Sequence, residues 1–108
     1  MPEPDDAENG REPTPEEIRT TEGPVLLEFG ASWCPYCQAM APEIARLLHE
    51  YTQVRHIRIE DGPGRRLGRT YRVKLWPNLV FLRDGEVVRQ LARPSASEVR
   101  EGFEAITT

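Results

Sequence analysis

The sequence predicts an α/β domain built on one mixed sheet of about four strands, with helices on both faces. Three features carry this reading. The near-continuous apolar run VLLEFGA, at 25–31, has the length and composition of a central strand covered on both sides. From Pro35 onward the apolar period becomes that of an amphipathic helix. Further on, two β-prone runs flank Asp84-Gly85, a strong two-residue hairpin signal.

The elements follow in order. Thr14, Pro15 and Glu17 form the start of a short helix: the threonine caps, the proline suits the first helical position, and the glutamate completes a capping box. Gly23-Pro24 is expected to end it. After the strand at 25–31 comes the helix from Pro35, in which Met40, Ile44, Leu47, Leu48 and Tyr51 share a stripe, and Pro42 introduces a kink. VRHIRIE (54–60) alternates as a strand, with Arg55, Ile57 and Ile59 on one face and Val54, His56 and Arg58 on the other. A loop and short helix follow, in which Arg65, Arg69 and Arg72 are expected to share a face. NLVFLR (78–83) and EVVRQL are the two arms of the hairpin. Ser95 and Glu98 make a second capping box, and Val99, Phe103 and Ile106 give the last helix its apolar stripe, weakened at Gly102. The β-α-β unit that opens this order should be parallel and right-handed.

Composition narrows the function classes. The chain has 108 residues, enough for one domain and one core. Residues 1–23 carry eight acidic and two basic side chains, a balance of −6, whereas residues 24–108 carry ten and twelve, a balance of +2. The net charge of −4 is thus mainly a property of the first stretch, and nothing in it implies nucleic acid. The arginine-rich run RRLGRTYR is single, short and without aromatic interleaving, so it reads as a solvated face that at most steers acidic clients. No apolar run approaches the roughly 18 residues of a membrane span. Residues 1–13 are too polar to offset the entropy of ordering and are expected to form a disordered acidic tail before a domain at 14–108. With no apolar leader segment, the chain is expected to be cytoplasmic and a monomer, with no membrane partner.

The two cysteines, Cys34 and Cys37, lie in SWCPYC, between the buried strand and the long helix. A sulfur at a helix N-terminus meets unpaired N–H groups and the positive end of the macrodipole, which favour the thiolate. Cys34 is therefore the candidate nucleophile. Cys37, one turn on and expected to be the less exposed of the two, is placed to resolve a mixed disulfide. Pro35 leaves the helix start intact. A zinc site needs about four ligands, and His49 and His56 would have to converge on this pair to supply them; no metal and no cofactor is assigned. A cluster shared between two chains is the other metal reading. A purely structural disulfide across one helical turn closes too short a loop to stabilise much. Redox chemistry is preferred.

Glu28 interrupts the central strand between apolar neighbours. A carboxylate buried unpaired there is costly and is driven toward its neutral form; the alternative is a strand carboxylate that reaches solvent along a sheet edge. Trp76-Pro77 opens a strand and is, by itself, a turn.

VLLEFGASWCPYCQAMAPEIARL resembles the active-site segment of thioredoxins: apolar strand, acid, small residue, Trp-Cys-x-x-Cys, and a helix with a proline five residues past the second cysteine. The resemblance continues through IEDGPG and YRVKLWPNLVFLRDGEVV and spans roughly residues 16–106. It implies a thioredoxin fold, reversible dithiol–disulfide exchange with protein clients, and an unidentified thiol or reductase as electron donor. It also implies that Glu28 is the acid/base for Cys37 and that Pro77 is a cis-proline facing the cysteines. Trp76 would then hold a client's backbone, either narrowing access or offering an aromatic platform, with burial as ordinary core the competing view. Trp33 would sit partly exposed beside the site.

Departures are informative. Pro-Tyr stands between the cysteines as in glutaredoxins, where thioredoxins have Gly-Pro. Gly30 replaces a frequent Trp, His56 a usual Lys, and Arg93-Pro94 a glycine. His56 either pairs with Glu28, making exchange sensitive to pH, or is a partly buried strand histidine without a part in the chemistry. The Pro-Tyr pair leads us to expect a reduction potential above thioredoxin's roughly −270 mV. Two alternatives stand beside the client-reducing reading: a glutathione-coupled oxidoreductase of glutaredoxin type, and a thioredoxin-fold interaction or chaperone module whose cysteines are incidental.

Overall fold

A computed structural model describes residues 12–108. Most of the tail expected to be disordered therefore lies outside the described residues; Glu12 and Pro13 run as coil into the first helix. The element order is α1 (Pro15–Arg19), β1 (Pro24–Gly30), α2 (Pro35–Glu50), β2 (Arg55–Glu60), α3 (Arg66–Thr70), β3 (Asn78–Arg83), β4 (Glu86–Ala92) and α4 (Ala96–Thr107). The strands form a four-stranded sheet in the order β2-β1-β3-β4. β1 runs parallel to β2 and antiparallel to β3, and β3 pairs antiparallel with β4.

The period-2 alternation of β1 divides the core in two. Val25, Leu27 and Phe29 face a cluster containing Ile57, Ile59, Val80 and Leu82, closed by Ile18 of α1 and Leu67 of α3. Leu26 faces the opposite cluster, with Leu79 and Phe81, covered by Ile44 and Leu47 of α2 and Val99, Phe103 and Ile106 of α4. Both expected helix stripes are therefore the buried faces. Glu28 shares its side of β1 with Leu26, so it points toward α2.

Local chemistry sets the boundaries. Thr14 and Ser95 each complete the expected capping box. Asp84 and Gly85 both have positive φ, 53° and 83°, as a two-residue hairpin turn of type I′ requires. Two expectations are corrected. α1 stops at Arg19, well before Gly23, because the hydroxyls of Thr20 and Thr21 donate to the carbonyls of Glu16 and Glu17 and satisfy the helix end early. Arg65, Arg69 and Arg72 do not share a helical face: Arg65 precedes α3 at the N-cap position in extended backbone, and Arg72 lies past its end with φ 57°. The chain turns back there so that Tyr71 and Val73 pack on the first cluster, with the Val73 N–H donating to the Gly68 carbonyl at 2.8 Å.

Candidate active site

Cys34 is the N-cap of α2. Its φ and ψ of −78° and 120° are extended, and Pro35 fills the first helical position. The Cys34 Sγ accepts the backbone N–H of Cys37 at 3.4 Å, so the sulfur takes the place a capping oxygen usually fills. The loop before it is tied down by the Cys34 N–H donating to the Ala31 carbonyl at 3.0 Å and by Gln38 Nε2 donating to the Ser32 carbonyl at 2.9 Å.

The two thiols are driven apart in acidity. Burial of Cys34 opposes its ionisation. Hydrogen bonds from the Cys37 thiol and from the backbone N–H groups of Cys37 and Tyr36, together with the charge of Arg93, outweigh that and hold Cys34 below the free-thiol value of 9.0. Cys37 is pushed up to about 11, first by burial, then by its hydrogen bond to Cys34 and by the negative charges of Cys34 and Glu28. Ionisation is eased at one sulfur and opposed at its neighbour.

The accessible surface reverses the expected order. Cys34 is 3 % accessible, while Cys37 is partly exposed. Gly30 packs closely under Cys37: a Cβ at that position would stand 2.7 Å from Cys37 Sγ. Cys37 lines a groove of about 530 Å³ together with Glu28, Ser32, Gln38, His56 and Arg58. Cys34, for its part, belongs to neither core cluster. Two of the groups that act on it, Tyr36 and Arg93, are exposed, so its cover is a surface layer.

Glu28 sits on a central strand with its side chain 13 % accessible, which removes the sheet-edge reading. It is not unpaired. His56 Nε2 lies 2.6 Å from Glu28 Oε1, a contact made possible by the neighbouring register of β1 and β2. Glu28 also acts on Cys37 through its charge, so the structure brings acid, histidine and second thiol to one groove. His49 lies exposed on the far part of α2. Among the described residues, no three His, Cys, Asp or Glu side chains stand close enough to hold a metal ion. None of the helices among them is long and apolar enough to cross a membrane.

Trp33 and Tyr36, which flank Cys34 in the chain, belong to an aromatic collar. Trp33 is 68 % exposed and meets Trp76 edge-on, with ring centroids 5.4 Å apart. Trp76 is half-buried outside both core clusters, its Nε1 donating to Asp61 Oδ2 at 2.9 Å. The Trp76–Pro77 peptide is cis and Pro77 is buried. Sequence reasoning did not anticipate the part played by Arg93. Its backbone N–H donates to the Pro77 carbonyl at 2.8 Å, its Nε to the Trp76 carbonyl at 2.9 Å, and its guanidinium lies 3.7 Å from the centre of the Tyr36 ring. The only available signal was an arginine where a glycine is usual.

The thioredoxin family model matches residues 11–103. The chain belongs to the thioredoxin family. Thioredoxin 2 from Pseudomonas aeruginosa PAO1, solved in its reduced form, is 50% identical, with 88% of this chain and 89% of that one covered and a TM-score of 0.77. Thioredoxin Asp f 28 from Aspergillus fumigatus is 32% identical over 81% of this chain and 79% of its own length. Thioredoxin C-2 from Corynebacterium nephridii is 33% identical over 68% and 69%. As a thioredoxin-family member with the Cys-x-x-Cys pair at the start of α2, the chain is a protein thiol–disulfide oxidoreductase.

Proposed function

We propose that this oxidoreductase works in the reducing direction on protein clients in a reducing, cytoplasmic compartment, with Cys34 attacking and Cys37 resolving. The observation that carries the reading is the opposed acidity of the two thiols, one lowered by donors at a helix start and the other raised to about 11. The Cys34 thiolate attacks one sulfur of the client disulfide; that S–S bond breaks, the client's other sulfur leaves as a thiolate, and a mixed disulfide forms. Cys37 then gives its proton to Glu28, hydrogen-bonded to His56, and attacks Cys34 Sγ. The second client thiolate leaves, and the protein keeps the disulfide with the client reduced by two electrons. A thiol or a reductase must return those electrons. Trp76 and Pro77 present backbone to the client, and Trp33 flanks its approach.

Each donor to the Cys34 thiolate also stabilises the reduced protein, which lifts the potential as it does in strongly oxidising family relatives. We therefore expect a reduction potential above about −270 mV. Equilibration with glutathione buffers measures it, and a value at or below that figure contradicts the expectation.

Catalysed reduction of insulin disulfides tests the function. The protein should accelerate reduction by dithiothreitol, and Cys34→Ser should abolish the acceleration. An unaccelerated reaction, or one indifferent to Cys34→Ser, would favour a binding module with incidental cysteines.

A further inference from the structure

We propose that Arg93 selects clients by receiving a carboxylate that lies beside the disulfide under attack. The proposal rests on the client-reducing reading above. Arg93 has φ 50°, a region that favours glycine, so the chain holds a large cation at a position that is awkward for any side chain. Three contacts fix it there: its backbone N–H to the Pro77 carbonyl, its Nε to the Trp76 carbonyl, and its guanidinium face on the Tyr36 ring. These contacts leave Nη1 and Nη2 without a hydrogen-bonding partner among the described residues, and no carboxylate there lies within ion-pair distance of them. The result is an exposed guanidinium edge, fixed in direction and unpaired among the described residues, at the rim of the reactive thiol. A planar fork of this kind matches a carboxylate with two parallel hydrogen bonds.

The charge pattern around the site points the same way. Trp33, Tyr36 and Leu75 are exposed and apolar or aromatic, 68 %, 55 % and 47 % accessible, and offer no anion of their own. The nearby acid Asp61 keeps its charge, but its Oδ2 is taken by the Trp76 indole N–H and not by the Arg93 guanidinium. A client strand reaching Cys34 past this collar meets the fixed guanidinium of Arg93. An acidic residue next to the client cysteine gains a partner there. A basic residue meets repulsion.

Synthetic peptides carrying one cysteine as a disulfide with 2-thiopyridine provide the test, identical except for Asp, Asn or Lys beside that cysteine. Single-turnover attack by the reduced protein releases pyridine-2-thione, which is followed by absorbance. An exposed ion pair of this type is worth a factor of about two to five in rate. The wild-type protein should prefer Asp over Asn by about that factor and disfavour Lys, and the preference should shrink as salt is added. Arg93→Gln should bring the Asp-to-Asn ratio to about one, while Arg93→Lys retains part of it. Because the readout is a ratio between peptides, any general change in Cys34 reactivity cancels. Should Arg93→Gln lose its fold, the salt dependence of the wild-type ratio decides. Equal rates for the three peptides in the wild type, or a ratio unchanged in Arg93→Gln, would overturn the proposal. A wild-type protein that attacks none of the peptides would bring down the client-reducing reading, and the proposal with it.

Discussion

At the scale of single residues, the site depends on two sulfurs one helical turn apart that differ in acidity. Cys34 is held below the free-thiol value of 9.0, so its alkylation by iodoacetamide should outpace that of free cysteine near neutral pH and slow as pH falls through its folded pKa. Cys37→Ala removes one of the donors to Cys34 and should move that profile to higher pH. The signs for stability follow from linkage. The lowered Cys34 contributes stability that is present above 9.0 and is lost as pH falls through its folded value. The raised Cys37 contributes stability that is present below 9.0 and is lost as pH rises toward about 11. Urea titrations of the reduced protein should therefore show an alkaline loss that Cys37→Ala diminishes; an unchanged loss would assign it elsewhere. Glu28→Gln keeps the shape of the side chain but removes the carboxylate proposed as the base. General-base groups contribute about 10²- to 10⁴-fold, so the mixed disulfide should persist at least about tenfold longer in rapid-quench experiments while its formation stays fast. Equal slowing of both steps would argue against a proton-handling role. Cys34, Cys37 and Glu28 could all be singled out from the sequence, because strand, cysteine pair and helix start are local features. The exposure order of the cysteines could not, since it depends on how residues distant in the chain, such as Glu28 and His56, line the groove beside Cys37.

At the scale of elements, capping residues and apolar stripes were local enough to read directly. Both capping boxes and the Asp84-Gly85 turn are examples, each being decided within four residues. What escaped was long-range packing. Gly102 reads as a weak point in α4, yet a Cβ there would stand 2.4 Å from the Phe81 ring. That ring is held edge-on against Phe103, with centroids 5.5 Å apart, and has little room to yield. Replacing glycine in a helix gains about 1 kcal/mol in propensity, whereas overpacking a close contact costs about 1–3 kcal/mol. Packing wins, and Gly102→Ala should lower the urea midpoint; a raised midpoint would show that α4 can shift. The early end of α1 and the brevity of α3 have a similar origin. Threonine hydroxyls finish the first, and the demand that Tyr71 and Val73 reach the sheet finishes the second.

At the scale of the whole molecule, the sheet order β2-β1-β3-β4 places the C-terminal end of β1, the start of α2 and the loops before β3 and after β4 side by side. The apolar pattern and the family resemblance foretold that sheet. They did not foretell that Arg93, far along the chain, would bridge Trp76, Pro77 and Tyr36 around Cys34, because an arginine at positive φ gives no periodic signal. The proposed client selection involves the collar residues, and the proposed proton handling involves the groove that holds Glu28, His56 and Cys37. In the proposed cycle both act on a client held covalently on the first thiol. The most direct test is to present Cys37→Ser protein with an oxidised client and map the adduct by mass spectrometry. A client joined to residue 34 by a disulfide that persists until a reductant is added is the expected result. Failure to recover an adduct, while the wild type still reduces that client, would contradict attack by Cys34.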